Sequence, residues 1–116
     1  MPNEEYLSTW KTYQAAWENI SSDERRSLLE SSVAEDGVYT DPMNECGNRE
    51  ELIAVVGQFQ QQSPGASFTN NTFLDHHAQA IANWTLSDAD GSVITDGGSY
   101  ARFGEDGKLT TIVGFF

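Results

Sequence analysis

Residues 66–116 read ASFTNNTFLDHHAQAIANWTLSDADGSVITDGGSYARFGEDGKLTTIVGFF. β-branched and aromatic residues recur through this stretch, and turn residues punctuate it, which is the pattern of successive strands. It predicts strands near 66–74, 78–87, 92–103 and 108–116. The turns between them are Asp75-His76-His77, Asp88-Ala89-Asp90-Gly91 and Gly104-Glu105-Asp106-Gly107. Asp-Gly within a short loop favours a hairpin, so the half-chain reads as an antiparallel meander.

Upstream the period changes from two to that of a helix. Tyr6, Trp10, Tyr13 and Trp17 are spaced four, three and four apart, which puts all four on one face of a helix from about Asn3 to Ile20. Ser21 with Glu24 forms a capping-box pattern for a second helix carrying Leu28, Leu29 and Val33. That helix is expected to stop near Asp36-Gly37. Val38-Tyr39-Thr40 reads as a short strand closed by Asp41-Pro42, and Met43 to Asn48 as a loop. Arg49 to Gln62 reads as a third helix with Leu52, Ile53, Val55, Val56 and Phe59 inward, broken by Ser63-Pro64-Gly65. Three helices followed by four long strands make an α+β arrangement.

The 116 residues fit a single domain spanning 1–116. Six basic against 18 acidic side chains leave a net charge of −12. Such a surface repels phosphate backbones and anionic lipid headgroups, which argues against nucleic-acid and membrane partners. A lone cysteine, Cys46, precludes an intramolecular disulfide and a thiolate metal cluster. Met1 to Glu5 is polar and acidic, unlike a secretory leader, and no apolar run is long enough to span a bilayer. A cytoplasmic protein is expected.

Several motifs recur in a known order. Tyr13-Gln-Ala-Ala-Trp17 is followed by Asp23, and Ala34 to Pro42 ends in an acid and a proline. Gly47 precedes the third helix, and Trp84 stands on a central strand. Arg102-Phe103, Asp106-Gly107-Lys108 and Gly114-Phe115-Phe116 close the chain. In this order and spacing the chain resembles the NTF2-like superfamily, in its bacterial SnoaL-like and ketosteroid-isomerase-like branch. The resemblance implies a cone-shaped half-barrel, with three N-terminal helices packed in the concave face of a curved, mainly antiparallel sheet. It also implies an open end that admits a small molecule, and a homodimer through the outer face of the sheet. Thr69, Asn71, Phe73 and Thr85 are expected on that outer face.

Asp41 resembles the general base of the ketosteroid isomerases, which occupies the same Asp-Pro pair. A carboxylate in an apolar cone would lose solvation and could shuttle protons. Equally, Asp-Pro can simply start a turn whose carboxylate bonds local amides. Tyr13 matches the family's oxyanion-donor tyrosine, although an aromatic on a helix stripe is also ordinary core. The resemblance puts Ser99 where the isomerases carry a second, protonated acid. A serine donates one weaker hydrogen bond, which argues against steroid isomerisation and leaves dehydration or cyclisation open.

Trp17, Tyr39, His76, Trp84, Ser99, Phe103, Ile112 and Phe116 are the candidate ligand-lining residues, with ordinary core packing the default for Trp84, Phe103, Ile112 and Phe116 and an exposed hairpin turn the alternative for His76. If His76 shares a face with Trp84, then Ala78, Ala80 and Ala82 lie between them and leave room for a ligand. No cofactor is expected. Nor is a metal, because the adjacent His76 and His77 of a strand point to opposite faces. Glu45 beside Cys46 opposes thiolate formation, so no nucleophile is assigned there. Three functions compete: a cofactor-free enzyme on a small apolar carbonyl compound, a non-catalytic binder of a small apolar ligand, and a homodimerisation module.

Overall fold

Val33 marks the point where helix gives way to sheet, four residues before the glycine expected to end the helix. The computed structural model describes residues 3–116; Met1 and Pro2, the start of the polar opening segment, lie outside the described residues. The elements are α1 (Glu4–Ala15), α2 (Ser22–Ser32), β1 (Val33–Asp41), β2 (Asn44–Cys46), α3 (Arg49–Gln62), β3 (Ser67–His76), β4 (Gln79–Ser87), β5 (Val93–Phe103) and β6 (Leu109–Phe115). The strands form one open, curved six-stranded sheet in the order β2-β1-β6-β5-β4-β3. Every neighbouring pair is antiparallel except β1 and β6, which run parallel. The α+β expectation and the half-barrel of helices against a curved sheet are both met.

Side-chain caps start each helix. Asn3 accepts from the Glu5 and Tyr6 amides, Ser21 from the Glu24 amide and Asn48 from the Glu51 amide, satisfying amides that a first turn leaves unpaired. Trp10, Tyr13 and Trp17 then join Leu29, Leu52, Val56, Phe73 and Ile112 in one core. Among the described residues no helix is long and apolar enough to cross a membrane.

The boundaries differ from the sequence reading in four places. α1 ends at Ala15 rather than Ile20, because the buried Arg25 guanidinium reaches back to the carbonyls of Ala16, Glu18 and Ile20 and holds them in a turn. α2 ends at Ser32, because Val33 is captured by Leu109 of β6 in a parallel pairing distant in sequence. Part of the expected loop, Asn44–Cys46, is a strand paired with Tyr39–Asp41. The hairpin turn between β3 and β4 is His77-Ala78, not Asp75-His76-His77. Both residues take left-handed φ, 51° and 59°, as a two-residue hairpin turn of the favoured hand requires, without the usual Asn or Gly to announce it.

A bulge also reassigns one face. The β3–β4 register slips between Asn70 and Thr72, so Asn71 is left over. Phe73, expected outside, therefore turns inward and is buried against Trp10, with ring centroids 6.5 Å apart. Asn71 stays outside and donates to Thr85, whose hydroxyl donates to Asp96.

Candidate functional site

One cavity of about 460 Å³ opens between the helices and the concave face of the sheet. Trp10, Tyr13 and Gln14 of α1 and Val55, Gln58 and Phe59 of α3 form its helical side. Tyr39 and Asp41 of β1, Phe68 of β3, Trp84 of β4 and Ser99 of β5 form the sheet side. Met43, Ile94 and Phe116 are exposed apolar side chains at its rim.

The walls are aromatic for a local reason. Trp17 leaves the end of α1 and meets Tyr39, Phe59 and Phe68 at centroid distances of 5.8, 5.3 and 5.7 Å. Phe68 meets Trp84 edge-on at 5.1 Å. Buried Gln60 holds this corner together, donating to the carbonyls of Trp17 (2.7 Å) and Ala66 (2.8 Å) while accepting from the Gly65 amide. Trp84 lies flat across its cross-strand partner Gly97, where a Cβ would fall 2.3 Å from the indole. Its indole N–H donates to the Ser99 hydroxyl at 3.0 Å, which orients that hydroxyl within the wall.

Asp41 ends β1 at the polar end of the cavity. Its carboxylate accepts from the Tyr39 hydroxyl at 2.5 Å, the Met43 amide at 2.8 Å and the Asn44 side chain at 3.1 and 3.2 Å. Gly114 on the neighbouring strand makes room, since a Cβ there would sit 3.4 Å from that of Asp41. Burial is the main force raising both the Tyr13 and Tyr39 phenols well above the usual range, and the nearby Asp41 charge pushes the same way. Both are therefore neutral donors at any ordinary pH. Cys46 is buried, and its thiol is pushed up to about 11 by burial, then by Glu51 and Asp41, so it is no thiolate at neutral pH.

The structure thus brings Tyr13, Trp17, Tyr39, Asp41, Trp84, Ser99 and Phe116 to one cavity. Three expected lining residues lie elsewhere. His76 is exposed at the end of β3, its ring against His77, because the turn falls one residue later than the sequence suggests. Phe103 is stacked on Tyr6 at 4.3 Å, and Ile112 is buried in the core between Tyr39 and Ala101 in sheet register. Ala80, Ala82 and Trp84 do share the inward face, while Ala78 sits in the turn. Sequence reasoning missed Asn44, although its position three residues after Asp41 fits a side chain folding back on the carboxylate. It also missed Phe68, which only the sheet register brings onto Trp17. Among the described residues no group of three or more His, Cys, Asp and Glu side chains is arranged to hold a metal ion.

Comparison with known proteins follows the same lines. Residues 9–112 match the SnoaL-like domain family. A SnoaL-like family protein from Agrobacterium tumefaciens, named as a candidate isomerase, is 26% identical; the match covers 97% of each chain with a TM-score of 0.91. An NTF2-like protein of unknown function from Exiguobacterium is 18% identical over 91% of this chain and 95% of its own, with a TM-score of 0.75. A candidate polyketide cyclase from Sinorhizobium meliloti is 11% identical over 92% and 93%, also with a TM-score of 0.75. At such identities the last two speak for the fold alone. No curated protein gives a significant sequence match. With the family match running over nearly the whole chain and the helix-lined half-barrel beneath it, this chain belongs to the SnoaL-like domain family.

Proposed function

We propose that the chain is a cofactor-free enzyme of isomerase, cyclase or dehydratase type acting on a small apolar carbonyl compound. The observation that carries this reading is one carboxylate beside two protonated phenols in a cavity whose walls include Trp17, Phe59, Phe68 and Trp84. In this reading Asp41 takes a proton from the carbon next to the carbonyl, Tyr13 donates to the oxygen that gains charge, and Asp41 returns the proton at a second position. The Agrobacterium relative named as a candidate isomerase supports it. The single cysteine suits a reducing compartment, and we locate the activity in the cytoplasm. Asp41→Asn is expected to keep the fold and lower turnover of a confirmed substrate by about a hundredfold or more. Equal rates for the variant and wild type would sink the proposal.

A specific observation favours a second reading, a non-catalytic ligand carrier. Both Asp41 oxygens already accept protein hydrogen bonds, and the Ser99 hydroxyl already accepts one from Trp84. A carrier would keep its affinity for a neutral ligand in Asp41→Asn and lose it in Trp84→Ala.

We also propose a homodimer through the outer sheet face. Leu74, Ile81, Tyr100 and Val113 are successive cross-strand partners, and Leu74 and Ile81 are 70% and 56% exposed. None of the four is charged, in a chain of net charge −12, so two copies can meet there without facing like charges. Sedimentation velocity is expected to give a dimer for wild type and a folded monomer for Ile81→Arg; a monomeric wild type excludes this assembly.

A further inference from the structure

We propose that the cavity selects a flat apolar molecule carrying an ammonium group, with the cation at the Asp41 end. This rests on the reading of the cavity as the ligand site and takes its carrier form, in which Asp41 pairs with the ammonium of an amine-bearing compound rather than shuttling a proton. Among the described residues Asp41 is the one whose side chain brings a charge to the cavity lining; no Lys, Arg or His does. An anionic ligand would therefore meet a carboxylate with no cation to offset it, inside a chain of net charge −12. A neutral ligand would leave that carboxylate with dipoles alone.

The walls beside Asp41 suit a cation as well. Trp17 packs against Tyr39 at 5.8 Å and edge-on to Tyr13 at 6.5 Å, so three electron-rich rings cluster where β1 ends. Ring faces of Trp and Tyr attract an ammonium most strongly where water is thin. The Tyr39 proton is committed to Asp41, which leaves the phenol oxygen as an acceptor toward other neighbours. Beyond them Phe59, Phe68 and Trp84 continue an apolar wall for the body of the ligand.

Three probes of nearly one shape separate the possibilities: naphthylmethylamine as its ammonium, naphthylmethanol and naphthoate. Their binding to the intact protein is measured by calorimetry at neutral pH. The ammonium is expected to bind at one site per chain about tenfold tighter than the alcohol, in competition with it. Naphthoate is expected to bind at least about tenfold weaker than the alcohol. In Asp41→Asn, which leaves the acidic outer surface in place, the ammonium should fall to the alcohol's affinity. Equal wild-type affinities for ammonium and alcohol overturn the proposal, and so does an ammonium preference that survives in a folded Asp41→Asn, since that would be attraction to the surface. Competition on wild type keeps the test decisive if the variant does not fold: ammonium binding that the alcohol fails to displace also overturns it. Failure of all three probes to bind overturns the cavity reading itself.

Discussion

Arg25→Ala is expected to lower the unfolding free energy by roughly 2–4 kcal/mol, because it strips charged donors from one buried and two part-buried carbonyls. Arg25 belongs to α2 but serves the end of α1. Its side chain is 7% exposed, its Nε donates to the Ala16 carbonyl at 3.0 Å, and a terminal nitrogen donates to Glu18 and Ile20 at 3.0 and 3.3 Å. The last carbonyls of a helix lack partners within it and carry its negative dipole end. The amides of Ala16, Trp17 and Glu18 take the carbonyls of Tyr13, Gln14 and Ala15, so the guanidinium serves the C-cap carbonyl of Ala16 and the turn beyond it, and brings a cation to a helix end with no basic residue in its last turn. Trp17 lies within the segment held, and through it the aromatic wall depends on Arg25. Arg25→Lys should recover only part of the loss, since a single ammonium cannot spread over carbonyls that a planar fork reaches together. Urea unfolding followed by circular dichroism measures both; a loss under about 1 kcal/mol for the alanine variant would refute this role.

The second large effect is expected at Gly97. A Cβ there would lie 2.3 and 2.5 Å from two ring carbons of Trp84 and 2.8 Å from the Phe115 carbonyl. Neither a buried indole nor the backbone of a central strand gives way cheaply, so Gly97→Ala should cost about 3 kcal/mol, at the upper end of ordinary overpacking. The ring must swing off the strand, which breaks the bond to Ser99 and remodels the cavity wall. Loss of the near-ultraviolet signal of Trp84 together with the stability loss is the expected result. The neighbouring Gly98→Ala is the control, because its Cβ would lie 3.0 Å from the flexible end of the Asn83 side chain and 3.6 Å, an ordinary contact, from the Ala82 carbonyl. Equal stability of the two variants would remove the steric argument.

Much of this was legible in the chain. The Tyr6-Trp10-Tyr13-Trp17 spacing marks the buried stripe of α1, and the caps at Ser21 and the break at Ser63-Pro64-Gly65 mark helix ends, because those signals are local. Asp41, Tyr13 and Trp84 were found through motif order, and Asp41 and Tyr13 now stand beside Tyr39. His76, Phe103 and Ile112 were candidates for the ligand lining and lie outside the cavity. Alternation along a strand says which residues share a face, but not where on that face a cavity ends.

Local chemistry in the sequence therefore determined the element types, the acidic character and the aromatic stock from which a site could be built. Pairings between distant residues decided the rest. Val33 became strand because β6 offered it a partner at Leu109, and Phe73 turned inward because one unpaired residue, Asn71, flips every side chain after it. Phe68 joined Trp17, and Ser99 met Trp84, through sheet register alone. Such contacts repay the entropy of closing long loops only once the whole sheet has formed, so no short window of sequence contains them.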